Sequence, residues 1–174
     1  MKLTWFGSST FRVQTGGQVI ALDPEGAPAG VDRSELVSGA DRVVRAADSL
    51  VDVDPAIWRP RPTERLLDAA DGLRPVEIWS VGPSGLLLDG DDDVPLLLLG
   101  GPVPELGRWV EKAAVVMFGA DLAGRCHALL QGQAPGLVAV AGSDREIDAV
   151  FADIPNLLDG TGLIALEPGL AVEA

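Results

Sequence analysis

The sequence predicts a mixed α/β protein in which a layered sheet assembly is covered by helices. Three observations carry that expectation. The first part of the chain reads as short strands of alternating polarity separated by glycine turns. From Leu106 onward, apolar residues at helical spacing alternate with short runs that are apolar throughout. Hydrophobic residues make up 47% of the 174 residues, enough to build one core and to exclude global disorder.

Each element follows from local pattern. Leu3-Thr4-Trp5-Phe6 and Phe11-Arg12-Val13-Gln14 flank Gly7-Ser8-Ser9 and read as a hairpin. Gly16-Gly17 supplies the next turn. Gln18-Val19-Ile20-Ala21-Leu22 is a third strand that stops at Asp23-Pro24, because proline biases the residue before it toward extended backbone and ends the run. A loop rich in glycine, proline and alanine runs to Val31, and Asp41-Arg42-Val43-Val44 is a short fourth strand. Asp48 to Arg61, with Pro55, Pro60 and Pro62 in or beside it, reads as loop with room for a short strand. Leu66, Leu67 and Ala70 share one face of a short helix between Thr63 and Gly72. Val76 to Val81 alternates as a strand. Ser84 to Leu88 pairs with Pro95 to Leu99 across Asp89-Gly90-Asp91-Asp92-Asp93, which reads as a solvated acidic turn.

Beyond this point the helix–strand alternation takes over. Leu106, Trp109, Val110 and Ala113 have the i, i+3, i+4, i+7 spacing of a helix. Ala114 to Phe118 is a buried strand, and Leu122, Cys126, Leu129 and Leu130 mark a second helix. Leu137 to Ala141 is a strand. Ser143 and Glu146 form a capping box for a third helix, which carries Ile147, Val150, Phe151 and Ile154 on one face and stops at Pro155. Gly162 to Leu166 is the last expected strand. Trp5, Trp79 and Trp109 read as core, and Trp58, in the proline-rich loop, as the tryptophan that faces a partner or pocket.

Charge narrows the function. Thirteen basic and 26 acidic residues leave a formal net charge of −13, a field that repels phosphate backbones and argues against nucleic-acid partners. No apolar run approaches the roughly 18–20 residues of a membrane span. The longest, Pro95 to Gly101, is far too short, and no secretory leader is expected at the start. One cysteine, Cys126, cannot form an intrachain disulfide, and a reducing cytoplasm is the expected location.

Met1-Lys2-Leu3-Thr4-Trp5-Phe6-Gly7-Ser8-Ser9-Thr10-Phe11-Arg12-Val13, then Gly16-Gly17 and Val19-Ile20-Ala21-Leu22-Asp23-Pro24, resemble the opening of the metallo-β-lactamase superfamily. The resemblance is to its branch of small UlaG-like metal-dependent hydrolases. Gly39-Ala40-Asp41-Arg42-Val43-Val44 is similar to the strand that leads into the family's metal motif, and Glu167-Pro168-Gly169 to a family C-terminal turn. The resemblance implies a four-layer αββα sandwich with a dinuclear zinc site at the sheet edge, where a metal-bridging hydroxide is the nucleophile.

The ligands of that site are missing from this chain. The family's His-x-His-x-Asp-His run falls at about Ala47, Ser49, Val51 and Asp52, of which only Asp52 offers a carboxylate. The histidine of the opening motif is Ser8, the bridging carboxylate segment aligns with Gly100-Gly101-Pro102, and a later histidine falls near Ala141 or Gly142. The chain contains one histidine, His127, in the middle of a predicted helix. One imidazole cannot build a dinuclear histidine site. Cys126 beside it diverges by about 100° around the helix and makes no ligand pair with it.

Other motifs are weaker. Asp23, Asp48, Asp52 and Asp54 offer oxygen ligands for Mg²⁺, Mn²⁺ or Ca²⁺, but at no recognised loop spacing. Ser8 and Ser9 lack a histidine to activate them as nucleophiles. Gly82-Pro83-Ser84-Gly85 reads as a turn, without the spacing of a phosphate-binding loop. The resulting expectation is a single metallo-β-lactamase-like domain over 1–174, with no metal, no cofactor and no catalytic residues. Its candidate pocket is Ser8, Ser9, Asp23, Asp48 and Asp52. It acts as a binding or assembly protein, as a homo-oligomer or with a protein partner, without nucleic acid or membrane. Two alternatives stand beside this: a metal-dependent hydrolase with a non-standard carboxylate site around Asp23, Asp48 and Asp52, and a small-molecule binding module that uses the vacated pocket.

Overall fold

The alternation in the first 22 residues produces three consecutive antiparallel strands, β1 (Lys2–Gly7), β2 (Thr10–Thr15) and β3 (Gln18–Leu22). The computed structural model describes residues 1–62, 74–90 and 94–173. Leu3, Trp5, Phe11, Val13, Ile20 and Leu22 share one buried face, because side chains two apart on a strand point the same way. Arg12 takes the opposite face, where its guanidinium donates to the carbonyls of Leu36 (3.0 Å) and Ser38 (2.9 Å). These belong to a short helix, α1 (Arg33–Val37), and its C-cap. The sequence reading had no helix here, although Asp32 caps it by accepting from the Ser34 amide at 2.8 Å. β4 (Arg42–Val44) then adds parallel to β3.

The second sheet begins with β5 (Glu77–Ser80), β6 (Gly85–Asp89) and β7 (Leu96–Leu99), paired antiparallel. It continues with β8 (Ala114–Phe118), β9 (Leu137–Ala141) and β10 (Gly162–Ala165), all parallel to β7. Its order is β10-β9-β8-β7-β6-β5. The unbroken leucines of β7 are explained by burial on both faces. Leu96 and Leu98 join the core shared with the first sheet. Leu97 and Leu99 join the core under the helices α2 (Leu122–Gly132) and α3 (Asp144–Asp153).

The capping box at α3 is present: the Ser143 amide (3.0 Å) and hydroxyl (2.7 Å) both donate to the Glu146 carboxylate. Those bonds, the side-chain one foremost, hold the Glu146 pKa below its ordinary value. A lowered carboxylate pKa stabilises the fold above the unfolded-state value, and that contribution is lost as pH falls through the folded one. Because Ser143 is the N-cap residue of α3, Ser143→Ala is expected to cost about 1 kcal/mol at neutral pH. The gap from the parent should narrow as the solution is acidified below the ordinary carboxylate range, as read by urea unfolding at each pH.

Five expectations need correction. The helix expected over Leu106 to Ala113 is a short 3₁₀ turn, Arg108–Lys112. Trp109 Nε1 (2.7 Å) and the Gly107 amide (3.0 Å) both donate to the Pro55 carbonyl and pin the segment to the proline loop. The four residues are nonetheless buried as expected. Phe151 on α3 is 42% exposed, since the helix covers the core with Val150 and Ile154 instead. Trp58 does not face out: it is buried against Trp79 and Trp109. Asp89 is not in a solvated turn. It is buried and accepts from the Arg61 amide at 3.0 Å, with the Arg61 Nε at 3.4 Å.

The fifth correction concerns the chain end. β10 is followed by β11 (Ala171–Glu173), which pairs antiparallel with β1. The first sheet is therefore ordered β11-β1-β2-β3-β4. Three residues are too few to show a period, and the strand is positioned by a tertiary bond, from the Gly169 amide to the Trp5 carbonyl at 2.7 Å. The short helix expected between Thr63 and Gly72, and Asp91 to Asp93 of the acidic turn, lie outside the described residues. No helix among the described residues is long and apolar enough to cross a membrane.

Candidate functional site

A cleft of about 550 Å³ opens where strands of both sheets end. The carboxyl ends of β3, β4, β5, β7 and β8 meet there, the region of an α/β sheet where loops rather than strand pairing decide the surface. Leu22 and Asp23 come from the end of β3, and Val44 to Ala46 from the end of β4. Ser80 ends β5, Leu98 and Gly100 lie at the end of β7, and Phe118 ends β8. The loop after β4 supplies Asp48, Ser49 and Leu50, and Ser9 comes from the first hairpin turn.

The apolar part of the lining includes Phe11 and Phe118, one from each sheet, packed edge to face with ring centroids 5.2 Å apart. Gly100 makes that packing possible: a Cβ there would stand 2.6 Å from the Phe118 ring. Behind the strand ends, Arg125 of α2 donates to the carbonyls of Leu99 (2.7 Å), Phe118 (2.7 Å) and Ala120 (3.2 Å). It thereby ties the ends of β7 and β8 together, and its burial lowers its pKa.

Asp23 is fixed by several bonds. Its backbone is left-handed, φ 45° and ψ 57°, a conformation that aspartate tolerates better than most residues. Its amide donates to the Val44 carbonyl at 2.7 Å, and its carbonyl accepts from the fully buried Thr10 hydroxyl at 2.8 Å. One carboxylate oxygen accepts a hydrogen bond from the Ser9 hydroxyl. Gly26 leaves room for this pair, since a Cβ there would lie 2.8 Å from the Ser9 Oγ and closer still to the Asp23 carboxylate. Ser8 is left-handed too, at φ 48°, and its carbonyl accepts from Trp5 Nε1 at 3.0 Å.

Three of the five candidate pocket residues, Ser9, Asp23 and Asp48, line the cleft; Ser8 and Asp52 do not. Asp52 instead makes an isolated parallel bridge with Ser80, the short strand-like segment for which the loop left room. Asp48 accepts from the Arg45 amide at 2.8 Å and Asp54 from the Ala56 amide at 2.9 Å, each closing a local turn. Among the described residues no three of His, Cys, Asp and Glu gather closely enough to hold a metal ion. The dinuclear zinc centre implied by the resemblance does not fit these residues. Of the positions the resemblance gives to metal ligands, Ser49 and Gly100 do line the cleft, and neither side chain can replace an imidazole or a carboxylate there.

His127 lies on the exposed face of α2, away from the cleft lining. Cys126 is buried among Leu122, Leu129 and Leu130, and desolvation pushes its thiol up to about 11, partly opposed by Arg125. A thiol so placed is no nucleophile at neutral pH. Sequence reasoning missed Phe11, Phe118, Arg45 and Arg125 as parts of the site. The two phenylalanines read simply as core, and no local pattern marks an arginine as the clasp of two strand ends. Comparison of the chain with protein-family models, with curated proteins and with solved structures finds no match.

Proposed function

We propose that this chain is a metallo-β-lactamase-like αββα sandwich that has lost the metal site and uses the vacated cleft to bind a small organic ligand. The observation that carries this reading is the cleft itself. It opens at strand ends beside Ser49 and Gly100, two of the positions that the resemblance gives to metal ligands, and its lining mixes hydroxyls and carboxylates with aliphatic and aromatic side chains, without an imidazole. A purely structural role would favour apolar side chains filling that space, because a well-packed interior is worth more than an open one. The volume suits a small molecule. The family reading rests on the N-terminal motif together with Ser49 and Gly100 lining one cleft.

A melting screen against a metabolite library tests it. A ligand present at 100 times its Kd stabilises by about 2.7 kcal/mol, a rise of roughly 5–10 °C for a domain of this size. Ser49→Trp, on the exposed loop that borders the cleft, is expected to abolish the rise without lowering the unliganded melting point. Stoichiometric zinc or manganese in the purified protein, with phosphodiester or lactone hydrolysis that disappears in Asp52→Ala, would overturn the reading in favour of a carboxylate-site hydrolase.

A further inference from the structure

We propose that the cleft selects a small organic cation, an ammonium group carried on an apolar body. This inference rests on the ligand-binding reading and adds the charge and shape of the ligand. Among the described residues the lining carries two carboxylates, Asp23 and Asp48, against one guanidinium, Arg45. That guanidinium is already matched outside the lining, with its Nε 3.0 Å from the Glu25 carboxylate. The charge left facing a ligand is therefore negative.

The two carboxylates are differently placed. Asp23 is half-buried and anchored through one oxygen to Ser9. Its other oxygen has no hydrogen-bond partner among the described residues. Asp48 stands on the exposed loop with one oxygen engaged by the Arg45 amide. A half-buried carboxylate attracts a cation more strongly than a fully solvated one, because water screens it less. Phe118, partly exposed at the cleft, supplies apolar surface for the ligand body and favours a nearby cation through its ring quadrupole, while Phe11 behind it is fully buried. The overall charge of −13 concentrates cations at the mouth and repels organic anions.

Three probes with one skeleton separate the charge from the rest: benzylammonium, benzyl alcohol and benzoate, titrated at matched ionic strength and followed by protein-observed NMR. Benzylammonium is expected to bind at least tenfold more tightly than benzyl alcohol, with benzoate weakest. Asp23→Asn, which keeps an acceptor for Ser9 and tolerates left-handed backbone, should bring benzylammonium to the level of the alcohol. Asp153→Asn changes net charge equally on the exposed end of α3 and should leave binding within twofold. If Asp23→Asn does not fold, Asp48→Asn must weaken benzylammonium and spare benzyl alcohol.

Equal binding of the alcohol or of benzoate would overturn the charge preference while leaving the cleft a binding site. Equal weakening by Asp153→Asn would reduce the effect to the general field of an acidic surface and overturn it too. Silence of all three probes would also overturn it, and the metabolite screen would then decide the ligand-binding reading independently.

Discussion

Replacing Trp58 by alanine is expected to destabilise the protein by about 3–5 kcal/mol, the range for removing a buried indole. Trp58 is 9% exposed and stands at the centre of three indoles. Its ring meets that of Trp109 at 4.8 Å and 76°, and that of Trp79 at 5.6 Å and 67°. Both are edge-to-face contacts, which add to the area buried. The cluster joins the proline loop to the core beneath the helices, where Trp109 also donates to the Pro55 carbonyl at 2.7 Å. Truncation removes two ring contacts and leaves a void among the remaining indoles and aliphatic side chains of the cluster. The melting temperature should fall by roughly 10 °C, with loss of the near-ultraviolet circular dichroism of the coupled indoles. A change below about 1 kcal/mol would mean that Trp58 lies on the surface.

Arg61→Ala is expected to cost a similar amount, about 3–5 kcal/mol, because it strands a buried carboxylate. The Asp89 side chain is only 4% exposed and faces the Arg61 Nε at 3.4 Å. The Arg61 Nη2 also donates to the Asp89 carbonyl at 2.6 Å and to the Pro75 carbonyl at 3.3 Å. One guanidinium thus ties the end of β6 to the chain that precedes β5. Removing the charge from both partners should behave differently. The double variant Arg61→Leu/Asp89→Leu loses the attraction but strands no charge, so most of the stability should return. Urea unfolding of the two singles and the double measures the coupling directly. Additive losses would show that the pair is effectively solvated.

Much of the architecture was legible because it is local. Alternating Leu3, Trp5, Phe11 and Val13, the leucines of β7, and the helical spacing of Leu122, Cys126, Leu129 and Leu130 each report which face is buried, and every one of these residues is buried. The capping box at Ser143 and Glu146 forms between neighbours in the chain and needs no tertiary support. Of the five pocket residues that the resemblance brought together, Ser9, Asp23 and Asp48 line the cleft and Ser8 and Asp52 do not. The sequence did not point to the aromatic part of the lining, since Phe11 and Phe118 are 107 positions apart in the chain and meet only when the sheets pack.

What the sequence alone determined is the position of nearly every strand, the two longer helices and the shortage of imidazole. Periodicity and composition are properties of a single stretch of chain. The tertiary structure decided where stretches without a period go. It buried Trp58 and Asp89, which their proline-rich and acidic neighbours mark as exposed, by presenting each with a distant partner, Trp109 and Arg61. It also added β11 to the edge of β1 through a single strand pairing and opened the cleft between strand ends. Burial of a polar or irregular segment depends on which surface covers it, and that surface comes from elsewhere in the chain.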